Sequence, residues 1–388
     1  MYKKDIDQFV KDLRVTFLRD FMIPAQPKPS LLYSNKSNQL SVDKSDIPVP
    51  ELVQFLLGFI LKLPIYGPEE KLRWEIPFNY KEISCAFALQ KFGLRLHIAS
   101  AEGQQLDVNK VSMEIIKKIQ KAIHRVEKTL LMPFAEQQIR TGHVTIANQY
   151  YAFMNRYIYF REKAEKAINQ EKSTNTKNIE ELTQSLNEIF RAKNELFYNT
   201  IAMLDAYFSF LEHLFVLVMP LYLNNVRLLE FIGSFWADKY KMLFDIRSNP
   251  SAKSFYDDLN TIKERFRNFY AHGGFEKGGA SLYIHIPNIG AIPAQFSKVK
   301  NSPHFDIIPI REDSFSDICK IIDGFDKWLR SEDSGLQLAI RYAESGLDLP
   351  CDKQTIQKIR SAMTSDESLE GLIEYYSHIW EMHTNMDY

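Results

Sequence analysis

An arginine, an asparagine and a histidine lie near one another within residues 262–274, IKERFRNFYAHGG. With a rotation of about 100° per helical residue, Arg267 and His272 fall on one side of the helix. Among residues 268–271, only Asn268 and Ala271 project between them around the helix axis. The opposite side is an apolar stripe that must pack on the core, made of Phe255, Leu259, Ile262, Phe266, Phe269 and Tyr270. Arginine keeps its charge, and histidine titrates near neutrality. The pattern predicts an outward-facing pair suited to a phosphodiester.

These residue types suit cleavage of RNA without a metal ion. In that reaction the 2′-hydroxyl attacks the adjacent phosphate, which needs a base, an acid at the leaving oxygen and positive charge on the phosphorane. His272 can take either proton-transfer role, and Arg267 can bind the nonbridging oxygens bidentately. Asn268 lies between them as a donor to phosphate or as a residue that orients His272. We therefore expect Arg267, Asn268 and His272 to be the catalytic group.

The spacing Arg267-Asn-x-x-x-His272 resembles the signature of the HEPN superfamily, helical domains that are often metal-independent endoribonucleases. The motif lies late on an amphipathic helix and is followed by Gly273 and Gly274. It also comes after a long apolar helix that contains AYFSFLEHLFVLV, as the family arrangement leads one to expect. The resemblance covers about residues 178–345 and does not extend to the first 170 residues.

A single copy of the motif supplies one histidine, whereas acid and base act at opposite ends of the scissile bond. Two motif helices that meet at a two-fold axis would bring each Arg267 and His272 beside its symmetry mate, and the small Ala271 permits close approach. The resemblance implies this homodimeric composite site, with RNA as substrate and products that carry a 2′,3′-cyclic phosphate and a 5′-hydroxyl. It also implies a toxin or an abortive-infection effector against phage, and it leaves room for a regulatory protein or antitoxin as a partner.

Further residues are candidates for supporting roles. Arg265 also falls within the family's range of arginine-to-histidine spacings, but it lacks the polar residue that follows Arg267, so we assign it a phosphate-positioning role only. Glu212, on the apolar helix, can hold Arg267 in place, although a buried polar pair explains it equally well. Weaker candidates on the same helix are His213, Asp205 and Tyr207.

Composition limits the remaining classes of function. The 388 residues, 45% of them hydrophobic and 13% aromatic, can build two folded domains. A net charge of −1 argues against a broad nucleic-acid binder and less against a nuclease with one local site. The three cysteines lack C-x-x-C spacing, which indicates a reducing cytoplasm. We expect no metal site, since His304 and Asp306 lack further ligands, and we expect no cofactor and no membrane segment.

Hydrophobic periodicity predicts a mainly α protein, a helical bundle with a minor β-hairpin. The expected parts are residues 1–172, a mostly helical regulatory or recognition domain, residues 178–345, the HEPN-like helical domain, and residues 350–388, a C-terminal helical extension. Helices over 111–131 and 145–167 are expected to pack as an antiparallel pair. Strands are expected at 94–98 and in a pair formed by 282–286 and 305–308.

Two other interpretations fit the same residues. In the first, the chain keeps a HEPN-like scaffold but binds RNA, a nucleotide or a protein without catalysis. In the second, the scaffold is unrelated and the spacing of Arg267 and His272 is accidental. The first predicts RNA binding without cyclic-phosphate products, and the second predicts that these two side chains lie far from any symmetry mate.

Overall fold

The computed structural model describes residues 3–24, 37–99, 106–171, 179–224, 228–268, 282–297, 302–304 and 312–387. These residues form helices and antiparallel strands. Two units are distinguished. Unit 1 comprises Met1–Thr141 and Tyr375–Tyr388, and unit 2 comprises Gly142–Glu374. Helices account for most of the chain, so the predicted mainly α class is confirmed at that level.

A five-stranded antiparallel sheet forms the centre of unit 1, in the order β1-β3-β4-β5-β2. The strands are β1 Phe21–Met22, β2 Ser37–Ser41, β3 Leu72–Tyr80, β4 Ile83–Gln90 and β5 Gly93–Ala99. The helices are α1 Lys3–Thr16, α2 Glu51–Gln54 with a π-helical continuation Phe55–Ile60, α3 Val108–Val126 with a π-helical continuation Glu127–Leu131, and α4 Met132–Thr141. Alternate residues of β3, including Trp74 and Phe78, share one core with Phe87, Leu96 and Ile119.

This sheet replaces the mostly helical organisation expected for the first part of the chain. The strand predicted at 94–98 is confirmed as β5, but β3 and β4 were not predicted. The turn between β3 and β4 carries Lys81 and Glu82 at φ of 47° and 70°, where glycine or asparagine is usual. Strand β4 is buried on both faces, so it lacks the alternation that marks a strand. The usual sequence signals of a hairpin are therefore missing here.

Unit 2 is built mainly from helices. They are α5 Tyr150–Glu171, α6 Ile179–Tyr222, α7 Leu228–Gly233, α8 Trp236–Leu243, α9 Pro250–Ile262 with a π-helical continuation Lys263–Asn268, α10 Glu312–Leu329, α11 Ser334–Glu344 and α12 Lys353–Ala362, and α13 Asp366–Asn385 follows them. Short strands β6 Thr145–Ile146 and β10 Leu349–Pro350 pair with each other. Hydrophobic periodicity predicts a single helix over 227–244, whereas the structure has two helices, α7 and α8, separated at Ser234 and Phe235.

Helices over 111–131 and 145–167 were expected to form the antiparallel pair, whereas helix α5 packs along α6 within unit 2. The two helices run antiparallel, since Gln149 contacts His213 and Arg156 contacts Asp205. The units divide between Thr141 and Gly142, whereas the expected domains, 1–172 and 178–345, divide between residues 172 and 178. The segment expected as a C-terminal extension over 350–388 is likewise shared between the units.

A minor sheet in unit 2 consists of β7 Leu282–Ile286, β8 Gly290–Ser297 and β9 Ser302–His304, in that order. The strand predicted at 282–286 is confirmed, but its partner is β8, whose Pro293 lies opposite Tyr283. Proline cannot donate a hydrogen bond to a neighbouring strand, so its presence argues against a strand. This is why the sequence did not predict β8. The partner expected at 305–308 lies outside the described residues.

The apolar pattern predicts helices over 179–199 and 201–219 that are continuous up to Pro220, and the structure has one helix, α6, which extends past Pro220 to Tyr222. Among the described helices, its segment Asn187–Tyr222 is long and apolar enough to cross a bilayer by length and composition. However, 61% of its most apolar window is buried inside the protein. That burial is typical of a core helix, and α6 accordingly carries the residues around which α5, α8, α11 and the π-helical turn after α9 pack.

Candidate functional site

Helix α9 and the π-helical turn after it, Lys263–Asn268, position the motif arginine. The helix begins at Pro250, and the side chain of Asn249 caps it by accepting a hydrogen bond from the Ala252 amide at 3.0 Å. Its predicted apolar stripe is buried at Leu259, Ile262 and Phe266. The stripe residues Phe269 and Tyr270 lie outside the described residues. A π-helical turn adds a residue to each hydrogen-bonded loop, so it changes which side chains share a face at the end of the helix.

Arg267 lies in this turn, and its side chain is 32% exposed. Its Nη2 atom is 3.4 Å from Oδ1 of Asp205 on α6. The other carboxylate oxygen of Asp205, Oδ2, accepts a hydrogen bond from Nη2 of Arg156 on α5 at 3.1 Å. Because the Asp205 and Arg156 side chains are 43% and 48% exposed, these salt bridges contribute only about 0–1 kcal/mol each. Their main effect is geometric, since one carboxylate holds two guanidinium groups together at the surface.

The predicted supporting residues occupy different positions. Glu212 does not hold Arg267; its carboxylate lies 3.7 Å from the Nζ atom of Lys239. Lys239 is buried and also donates a hydrogen bond to the Ser234 carbonyl oxygen at 2.9 Å. Arg265 is half-buried, and its guanidinium lies over the ring of its neighbour Phe266, 5.4 Å from the centroid. Glu212 thus balances a buried lysine, as the polar-pair interpretation expects.

His213, next to Glu212 on α6, has a structural contact. Its Nε2 atom accepts a hydrogen bond from the Gln149 amide at 2.9 Å, which requires that nitrogen to be unprotonated. Burial lowers the pKa of His213, which favours the same neutral form. The residue therefore connects the start of α5 to α6 and does not reach Arg267 or Asp205.

The other two members of the predicted catalytic group cannot be placed. The backbone of Asn268 ends the π-helical turn, but its side chain lies outside the described part of the molecule. His272 lies wholly outside the described residues. The described part of the site therefore consists of Arg267, Asp205 and Arg156.

A second polar cluster lies deeper, where α10 crosses α5 and α6. The hydroxyl group of Tyr207, which is fully buried, donates a hydrogen bond to Oδ1 of Asp326 at 2.7 Å. Burial raises the pKa of Asp326 to about 6 and raises that of Tyr207 well above its usual value. Beside them Arg161 donates to both carboxylate oxygens of Asp323, at 2.5 and 2.8 Å, and this lowers the pKa of Asp323. These hydrogen bonds join α10 to α5 and α6, and they place a titratable acid, Asp326, inside unit 2.

Sequence reasoning ranked Asp205 too low and missed Arg156. A usable signal existed, because Asp205 interrupts the apolar run AMLDAYFSFL, and a charged residue in such a run needs a cationic partner. No comparable signal selects Arg156 from the other cations of α5. Its role follows from the level at which α5 packs on α6, which places it beside Asp205.

Within the described ranges, no group of three or more His, Cys, Asp or Glu side chains is placed to hold a metal ion. The chemistry that these residues support is the binding of an anion by paired guanidinium groups. No protein-family model, curated protein or solved structure matches this chain.

Proposed function

We propose that this protein is a metal-independent endoribonuclease of HEPN type that cleaves RNA at a site shared by two copies of the chain. One observation carries the proposal. Arg267, the arginine of the Arg-x4-His motif, remains partly exposed at the end of the α9 segment, where Asp205 holds it close to a second guanidinium, that of Arg156. Two guanidinium groups are thus brought together at the surface, and paired guanidinium groups are suited to binding phosphate.

The proposed reaction begins when the 2′-hydroxyl of one nucleotide attacks its own 3′-phosphate. One His272 accepts the hydroxyl proton, and His272 of a second copy donates a proton to the leaving 5′-oxygen as the P–O5′ bond breaks. Arg267 stabilises the nonbridging oxygens as their charge increases, and Asn268 donates to phosphate or orients the histidine. The products carry a 2′,3′-cyclic phosphate and a 5′-hydroxyl.

The biological role that fits this activity is a cytoplasmic toxin or an abortive-infection effector in defence against phage. In that role the first part of the chain regulates the nuclease or recognises a trigger or substrate. An antitoxin or another regulatory protein is a suitable partner, because an unrestrained ribonuclease would harm its own cell. These roles rest on the resemblance of the motif to the superfamily.

The decisive experiment compares RNA ends from cells that express the natural chain, His272→Ala or Arg267→Ala. We expect each substitution to reduce cyclic-phosphate ends by about 100-fold or more, because each removes a group that acts in the transition state. The melting temperature should change little for Arg267→Ala, because its salt bridge with Asp205 is partly exposed and contributes only about 0–1 kcal/mol. Arg191→Ala is the matched control, since that arginine is 78% exposed and also pairs with a carboxylate, Glu195.

The same preparation allows two further checks. Cleavage by the purified protein should persist in excess EDTA, and a requirement for a divalent ion would contradict the mechanism. The active form should be a dimer by analytical ultracentrifugation. A chain that cleaves RNA as a monomer would remove the composite site from the proposal.

A non-catalytic HEPN-like module that binds RNA, a nucleotide or a protein is the second candidate. The observation that favours it is the Arg267–Asp205 salt bridge, because a guanidinium held in place by a carboxylate can bind a phosphate without taking part in catalysis. In that case the purified chain would bind RNA and never release cyclic-phosphate ends, with or without a partner protein.

A further inference from the structure

Helix α5 carries a stripe of cations and one aromatic residue on an exposed flank. Arg156, Tyr159, Lys163 and Lys166 follow one another at intervals of three, four and three residues, so they lie within about 80° of each other around the helix axis. All four are exposed; the Arg156 side chain is 48% exposed and Tyr159 is 54% exposed. The Lys163 ammonium group lies over the Tyr159 ring, 5.4 Å from its centroid. We refer to these four residues as the α5 stripe.

Cations and acids are distributed unevenly around this helix. Glu165 lies about 140° from the middle of the stripe and pairs with Arg161 at 3.1 Å, whereas Glu162 lies about 40° from Lys166 around the helix axis. Within the described part of the chain, neither Lys163 nor Lys166 forms a salt bridge with a carboxylate. The α5 stripe presents three cations around one aromatic ring, with the acid Glu162 at its border.

The α5 stripe also leads to the candidate site. Its first residue, Arg156, shares the Asp205 carboxylate with Arg267. From Arg156 to Lys166 the stripe extends about 15 Å along the helix, at about 1.5 Å per residue, which suits a few nucleotides of extended chain. Cations that follow a backbone together with an exposed ring for base stacking are the features by which proteins bind single-stranded nucleic acid.

We propose that the α5 stripe binds single-stranded RNA and directs it to Arg267. The inference rests on the proposed function and specifies its substrate class. Arg156, Lys163 and Lys166 contact successive phosphates, and one base stacks on Tyr159. Lys163 already covers part of that ring, so the base takes the remaining ring surface or displaces the ammonium group onto its phosphate. Duplex RNA fits poorly, because its bases are stacked on each other and expose no face to a tyrosine.

The test measures binding of a fluorescein-labelled oligouridine of about 12 nucleotides by fluorescence anisotropy, at several salt concentrations. All proteins are full-length and carry His272→Ala, so that cleavage does not consume the probe. Tyr159→Ala should weaken binding about fivefold or more. Lys163→Gln should lower the slope of log affinity against log salt by about 0.7, the value for one lost contact with a single strand.

Two control variants match these changes in type and exposure. Tyr375→Ala removes a tyrosine that is also 54% exposed, and Lys320→Gln removes a lysine whose side chain is 73% exposed. Neither should change the affinity or its salt slope. Equal loss in the controls and the stripe variants would show that any exposed aromatic or cation matters, and it would overturn the proposal.

The outcomes separate this inference from the nuclease proposal. If the natural chain produces cyclic-phosphate ends while Tyr159→Ala and Lys163→Gln bind RNA normally, the α5 stripe is excluded and the nuclease stands. If binding depends on the stripe but no cleavage occurs, the nuclease fails and the stripe stands. Equal affinity for a duplex of the same length, or no RNA binding by the chain, would also overturn the inference.

Discussion

Replacing Asp326 by asparagine should stabilise unit 2 near neutral pH and have little effect in acid. The carboxylate is packed between α10, α5 and α6 and accepts a hydrogen bond from the buried Tyr207 hydroxyl. Burial raises its pKa from the ordinary value of 3.8 to about 6. Asparagine keeps a side-chain oxygen that can accept from Tyr207 and never acquires the charge.

The sign follows from proton linkage. Well below pH 3.8, the ordinary pKa of this acid, Asp326 is protonated in both the folded and the unfolded chain, so it imposes no cost on folding. As the pH rises, the unfolded chain ionises first, while the folded chain holds its proton until about pH 6. A difference of about two pKa units corresponds to about 3 kcal/mol, and about half of that is reached near pH 5. Because Asp326 is only partly buried, we expect the variant to gain about 1–3 kcal/mol above pH 6.

The assay is urea unfolding of the natural chain and Asp326→Asn at about pH 4, 5 and 7.5, with the difference in unfolding free energy taken at each pH. Taking differences cancels the pH dependence of every other group. Trp236 and Trp328, which are buried in unit 2, supply the fluorescence signal beside the other tryptophans. Asp317→Asn is the control, because it removes an acid from the same helix whose side chain is 71% exposed.

A stability gain that is the same at all three pH values would refute the reasoning, since it would come from packing and not from ionisation. A loss of stability at about pH 7.5 would show that the ionised form of Asp326 is favoured by its neighbours and that its pKa is lowered, not raised. A pH-dependent gain of the same size in Asp317→Asn would assign the effect to net charge.

Two further predictions concern the candidate site and the core. Asp205→Ala should reduce RNA cleavage about tenfold or more in the end-mapping assay, because Arg156 and Arg267 lose the carboxylate that positions them. Its melting temperature should hardly change. Asp257→Ala is the control: it breaks an exposed salt bridge with Lys253 on α9 and should leave cleavage intact. Trp236→Ala should lower the free energy of unfolding, measured with urea, by about 3–5 kcal/mol, because the ring is fully buried among aromatic residues. Phe235→Ala is the control: this neighbouring residue is 81% exposed, so its loss should change the urea midpoint little.

The local features of this chain were readable from its residues. The helical period placed Leu259, Ile262 and Phe266 on a buried stripe and left Arg267 partly exposed, and the structure confirms both. The continuity of α6 and the strand β5 were predicted in the same way. These properties depend on neighbours three or four residues apart, or two apart in a strand, so a single sequence contains them.

Pairing between distant segments was not readable. The sheet of unit 1 was missed because the β3–β4 turn has Lys81 and Glu82 where typical turn residues are expected, and because β4 does not alternate. The sequence did not identify α6 as the helix against which α5 packs, because an apolar helix face fits any complementary apolar face. The choice of partner depends on the packing of whole surfaces, which no local pattern specifies.

The sequence alone determined that Arg267 lies late on an amphipathic helix, on the side opposite the apolar stripe that packs on the core, because helix periodicity is a local property. Only the tertiary structure decided that Asp205, and not Glu212, is its carboxylate partner and that Arg156 joins them. The two acids lie seven residues apart on the same face of α6, about 10 Å along its axis, so the helical pattern cannot distinguish them. The level at which α5 and the π-helical turn pack against α6 makes that distinction, because a salt bridge forms only over a few ångströms.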